Sequence, residues 1–189
     1  IWGLGQLKKY EALPALLADK DAEIRAQAAR ALGDGRVATA GEKLVPLLKD
    51  AGARARMYAA LAIGKVAYKP AVEPLFAMLA ENNDRDPVLR HAAVMGLAGT
   101  ATAEQLAAKS ADASPAVRTG ALLALRRQRS PLAARFLDDK DPAVLLETVR
   151  AIYDAPIEGA MPALAKMSTR KELKELNTRL TDVRSQRAR

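Results

Sequence analysis

Small and aliphatic residues recur along this chain at helical spacing, and the whole pattern then repeats. Ala28, Ala31 and Leu32 return as Ala59, Ala62 and Ile63, as Ala93, Gly96 and Leu97, as Ala121, Ala124 and Leu125, and as Thr148, Ala151 and Ile152. The middle positions of these sets are separated by 31, 34, 28 and 27 residues. An i, i+3, i+4 recurrence predicts an amphipathic helix. Its return at such a period predicts a solenoid, in which each unit buries its apolar face against the next.

Each unit reads as two helices. The second opens on a capping residue, Asp21, Asp86, Ser114 or Asp141, and in the last three a proline follows (Pro87, Pro115, Pro142). Asp and Ser accept bonds from the free N–H groups of a first helical turn, and proline at the first helical position loses no intrahelical bond. A shorter apolar helix is predicted before each cap, over Ala12–Ala18, Glu42–Leu48, Val72–Leu79, Ala103–Lys109, Leu132–Leu137 and Ala160–Lys166. No alternating run of β-branched residues suggests a strand. The expected class is all-α.

Leu13-Pro14-Ala15-Leu16-Leu17, then Asp21, Ile24-Arg25, Ala28-Ala29 and Ala31-Leu32-Gly33, resemble the HEAT repeat family, particularly its short bacterial variety, also found in phycobilin lyases. Asp86–Ala93 and Ser114–Arg118 repeat the second half of that motif. The resemblance implies a right-handed α-α superhelix of about five to six helix pairs. Residues 1–10 are expected to end a preceding repeat, 11–167 to form the solenoid and 168–189 to form a basic terminal helix or tail. Ile1-Trp2-Gly3-Leu4-Gly5 aligns with Ala29–Gly33, so the chain is expected to start inside a second helix and to be a piece of a longer protein. Ile1–Leu7 also resembles the junctional helix of HEAT segments in large bacterial proteins that join a propeller dehydrogenase to a cytochrome. That second likeness implies a place outside the cytoplasm; without it the default expectation is cytoplasmic.

Charge changes the picture only at one end. Of the net +8, a balance of +4 falls in residues 168–189, where seven basic residues face three acidic ones. Arg170, Lys171, Lys174, Arg179 and Arg184 there are either a solvated helix face or an arm for nucleic acid or another anionic partner. The chain has no cysteine, which excludes disulfides, cysteine-based zinc and covalent haem within this segment. No apolar run approaches the roughly 20 residues of a membrane span.

Two sets of residues are candidates for function. Arg25, Arg56, Arg90 and Arg118 recur four residues after each cap position. The resemblance implies a structural ladder in which each Arg bonds a neighbouring repeat's capping acid, with Asp21, Asp86 and Asp141 available. On the other side of the second helices, the positions of Ala26, Arg30 and Gly33 point away from the buried direction. Their equivalents bring Met57, Leu61, His91, Met95 and Leu123 into a strip, with Arg30, Arg126 and Arg150 towards its ends. An apolar strip rimmed by cations is expected to hold a protein segment, unless tight curvature buries it.

Catalytic chemistry finds little support. His91 is the sole histidine and has no acid at dyad spacing, and Asp138-Asp139-Lys140-Asp141 lacks the glycine and terminal glutamate of a calcium loop. Neither a metal nor a cofactor is expected. The leading reading is a non-catalytic scaffold that binds a protein, or adjacent domains of its own parent chain, on the inner wall. Nucleic-acid binding, including by a HEAT-like DNA glycosylase, ranks behind it. A base-excising site wants aromatics, and Trp2 is the only tryptophan. A role as phycobilin lyase or its partner rests on the type of repeat alone.

Overall fold

The computed structural model describes Ile1, Gly3, Leu4 and residues 9–154 and 156–167. Trp2 and the basic terminal residues Arg170, Lys171, Lys174, Arg179 and Arg184 lie outside them. Among the described residues every regular element is a helix.

The helices come in pairs. The first pair is a 3₁₀ segment, Leu13–Ala18, followed by α1 (Ala22–Asp34). In the second, α2 (Gly41–Leu44) runs into a 3₁₀ stretch, Val45–Lys49, before α3 (Ala53–Val66). The third is α4 (Val72–Asn82) and α5 (Pro87–Thr100). The fourth is α6 (Ala103–Ala108), extended by Lys109–Ala111, and α7 (Pro115–Arg127). The fifth is the 3₁₀ segment Pro131–Phe136 and α8 (Pro142–Tyr153), and α9 (Met161–Met167) follows it. The described residues form an all-α solenoid of stacked helix pairs.

The expected α-helices over Ala12–Ala18 and Leu132–Leu137 are 3₁₀ instead. Both carry a proline in the first turn and have only six residues. Proline removes a donor, and so short a run gains little from i→i+4 bonding, so the tighter turn prevails. Leucine spacing cannot separate 3.0 from 3.6 residues per turn over so few positions.

The aligned small-residue column lies at the centre of the packing. Ala28, Ala59, Ala93, Ala121 and Thr148 are all fully buried. The Thr148 hydroxyl donates to the carbonyl of Val144 at 2.8 Å, so it brings no unpaired polar group into the core. Around this column Leu32, Ile63, Leu97, Leu125 and Ile152 face Leu13, Leu44, Leu75, Leu106 and Phe136 of the first helices.

Glycine sets how closely the second helices approach. A Cβ on Gly33 would stand 2.7 Å from the Cα of Ala62, and one on Gly64 would stand 2.7 Å from the carbonyl oxygen of Met95. Backbone therefore meets backbone along α1, α3 and α5. Beyond α5 this regime ends. α7 contacts α5 far less extensively than α3 contacts α1 or α5, and it also leans onto the outer helix α4, where Gly120 meets Leu79.

Candidate functional site

The arginine ladder is built on different acids from those expected. Arg25 donates through Nε and Nη2 to both carboxylate oxygens of Asp50, at 2.6 and 2.7 Å, and through Nη1 to the carbonyl of Asp19 at 2.7 Å. Arg118 repeats the arrangement on Asp139, at 2.7 and 3.0 Å, with the carbonyl of Asp112 at 2.8 Å. Asp21, Asp86 and Asp141 are not the partners. Their carboxylates accept from the N–H groups of Glu23, of Val88 and Leu89, and of Ala143. An oxygen committed to a first helical turn faces along its own helix and away from the neighbouring repeat.

The acid that matters stands two residues before each cap. Asp19, Asp50, Asp84, Asp112 and Asp139 form an unbroken column in the sequence. Asp19, Asp50, Asp112 and Asp139 also accept the N–H of the cap residue, at 2.8 to 2.9 Å. Asp50 and Asp139 therefore shape their own turn and receive the Arg of the preceding repeat. The bonds from Arg25 hold the Asp50 carboxyl below the ordinary carboxylate range, against the opposing effect of burial. The same bonding holds the Arg25 and Arg118 guanidinium groups more firmly protonated.

The ladder is interrupted in its middle. Arg90 lies 3.3 Å from Asp84 of its own repeat, a pair that remains well exposed. Arg56 has a buried Nε with no hydrogen-bond partner. In the third repeat the turn is held by Asn82, whose side chain accepts from Asp86 N–H at 3.1 Å and donates to the Asp86 carbonyl at 2.9 Å. That turn follows the longer helix α4, and Asp84 there pairs within its own repeat.

The inner wall is divided rather than continuous. Ala26 and Gly33, expected to face outward, are buried because α3 packs directly over α1. Arg30 and Leu61 share a shallow cup of about 240 Å³ between these helices with Tyr58 and Lys65. Its two cations share a single acid. Asp34 meets Arg30 at 3.6 Å and Lys65 at 2.5 Å, and Arg30 lies over the Tyr58 ring at 5.7 Å. Met57 is half-buried against the core and lines neither this cup nor the groove described next.

His91, Met95, Leu123 and Arg126 do come together. They line an open groove of about 490 Å³ between α5 and α7, where the second helices part. Val94, Met95 and Leu123 form its apolar floor, and Arg90, Arg126, Arg127 and Arg129 surround it. Arg150 stands outside it and shares Glu147 with Arg126, at 4.0 and 3.9 Å. Arg127 and Arg129 were not among the expected residues. The dense basic run Arg126-Arg127-Gln128-Arg129 was the signal that could have found them.

Among the described residues no cluster of three or more potential metal ligands occurs. None of their helices is long and apolar enough to cross a membrane.

Stacked helix pairs with ladder bonds between repeats define an α-solenoid. Residues 10–98 match the family model described as HEAT repeats. That match covers a little under half of the chain, and the described helix pairs after it continue the same helical repeat architecture. No curated protein matches the chain. Among solved structures, an engineered protein from a structural genomics consortium is similar at 21% identity and a TM-score of 0.49, over 94% of this chain and 97% of that one.

Proposed function

We propose that the chain is a non-catalytic protein-interaction scaffold that receives its partner on the wall formed by the second helices. The partner is a separate protein or an adjacent domain of the same polypeptide. One observation carries this reading: the wall opens into a groove with an apolar floor and a cationic rim between α5 and α7. Surfaces of that composition suit protein segments, because the floor contributes desolvation and the rim fixes orientation. Met95 in the floor adapts its shape to what it meets.

Site-specific photo-crosslinking tests the reading. A benzophenone side chain is placed at His91 or Leu123 on the wall, and at Ala77 or Glu104, which are exposed or part-exposed on the first helices. Crosslinks to one defined protein from the wall positions alone are expected. Equal crosslinking from both faces, or from the first helices only, overturns it. Duplex DNA titrated at two salt concentrations provides the competing outcome. Tight binding with a steep salt slope would favour nucleic acid.

A further inference from the structure

We infer that the groove between α5 and α7 takes a short acidic protein segment, in which an apolar side chain is flanked on both sides by carboxylates. This rests on the wall being a protein-binding face and names the chemistry of the occupant. Charge complementarity carries it. Arg90, which also meets Asp84 at 3.3 Å, stands on one edge of the groove and Arg126, Arg127 and Arg129 on the other, and no acidic side chain lines it. Arg127 and Arg129 are exposed and form no ion pair with any described residue. Between the two edges the floor is Val94, Met95 and Leu123, none of which offers a hydrogen bond from its side chain. A ligand that satisfies this site is anionic at its ends and apolar at its centre.

The site is also preformed. The Gln128 amide donates to the carbonyls of Ala98 at 3.2 Å and Ala101 at 2.8 Å, tying the end of α7 to the end of α5. The chain then turns through Arg129 in the left-handed region, at a φ of 53°, with its N–H on the Arg126 carbonyl at 3.0 Å. Side chains on α7 tilt towards its N-terminus, which carries Arg126 and Arg127 back over the level of Met95. The rim therefore does not have to be assembled when the ligand arrives, and less ordering entropy is lost on binding. Arg126 already meets a carboxylate, Glu147, at 3.9 Å. So long a contact exchanges readily for a shorter, charge-assisted one.

A nucleic acid would satisfy the rim but not the floor. Bases want broad aromatic faces to stack upon, and the groove lining has no Phe, Tyr or Trp and offers only the single imidazole of His91. The volume lies within the usual range for small binding sites, so it suits a few side chains rather than a whole helix.

Fluorescence anisotropy on the full chain tests the inference with four labelled probes. The first is a peptide with Leu-Phe flanked by glutamates, the second replaces Leu-Phe with Ala-Ala, and the third replaces the glutamates with lysines. The fourth is a single-stranded oligonucleotide of equal charge. Saturable binding of the first is expected, weakened about tenfold or more in each of the other three. The variant Arg126→Glu/Arg129→Glu should weaken the first probe to the same extent while leaving the melting temperature near that of the parent chain, because Arg129 is exposed and Arg126 half-buried. Equal binding of the lysine peptide or the oligonucleotide overturns the inference, as does undiminished binding to the variant. If the first probe fails while wall crosslinks persist, the acidic segment is wrong and the scaffold reading stands. If both fail, both are wrong.

Discussion

Asp139 is where the ladder exposes itself most directly to a test. Its side chain is 2% exposed and that of Arg118 12%. The substitution Asp139→Ala removes two charge-assisted bonds at 2.7 and 3.0 Å and the turn bond from Asp141 N–H at 2.8 Å. Breaking a buried pair by deleting one partner costs about 3–5 kcal/mol. Arg118 keeps the carbonyl of Asp112 and a little solvent, which puts the expected loss at the low end, about 3 kcal/mol. For a chain of this size that corresponds to a fall of about 6–12 °C in melting temperature. Asp139→Asn retains one oxygen for the turn but loses the charge and the second acceptor, its amide NH2 facing the Arg118 Nε–H, so it should cost about 2 kcal/mol. Asp141→Ala removes a helix cap and should cost about 1 kcal/mol. Urea midpoints followed by helical circular dichroism give the global losses, and amide exchange in the first turn of α8 gives the local one. If Asp141→Ala proves more damaging than Asp139→Ala, the ladder runs through the capping acids and this account of it is refuted.

The interrupted rung predicts the opposite sign. Arg56→Met should be neutral or stabilising by up to about 1 kcal/mol, since it deletes a buried Nε that has no partner, whereas Arg25→Met should destabilise; parallel urea titrations check both. Gly33→Ala should cost about 1–3 kcal/mol, because its Cβ would meet the Ala62 backbone at 2.7 Å and α1 must move off α3; thermal unfolding reports it. The Asp50 carboxyl is depressed in the folded state, so its stabilisation is full above the unfolded value and disappears as pH falls through the folded one. Melting temperatures of the parent chain and Asp50→Asn should therefore differ at pH 7 and draw together below about pH 4; a constant gap would contradict the assignment.

Much of the fold was legible because solenoid packing depends on local period and caps. Ala28, Ala59, Ala93 and Ala121 recur at fixed distance from Asp21, Gly52, Asp86 and Ser114, and each is fully buried. The column from Asp19 to Asp139 stands in the sequence as plainly as the caps do. In three repeats the cap two residues later is also an aspartate (Asp21, Asp86, Asp141), and there only the direction of the carboxylate separates the two. The division of the inner wall was not legible. Whether Leu61 and Met95 share one surface depends on how far neighbouring helices stand apart. That distance is set jointly by Gly33, Gly64 and Gly120 against residues far away in the chain. Helical angles computed within one helix placed Ala26 and Gly33 correctly relative to their own axis, but carried no information about the helix lying over them.

The backbone contact between α1, α3 and α5 has a mechanical consequence. A coil whose turns touch metal to metal along one part and are held by loose stitching along another does not bend uniformly. Here the first three inner helices meet backbone to backbone at Gly33 and Gly64, whereas the fourth is joined to the third repeat by side chains, with Gly120 on Leu79 of α4 and Gln128 bonded to the end of α5. Among α1, α3, α5 and α7 the more yielding contact is that seam, which Gln128 pins only at its far end. A pull or twist applied at either end of the chain would therefore be felt first as a change in the width of the groove between Met95 and Leu123, which makes the binding face a gauge of strain carried along the array.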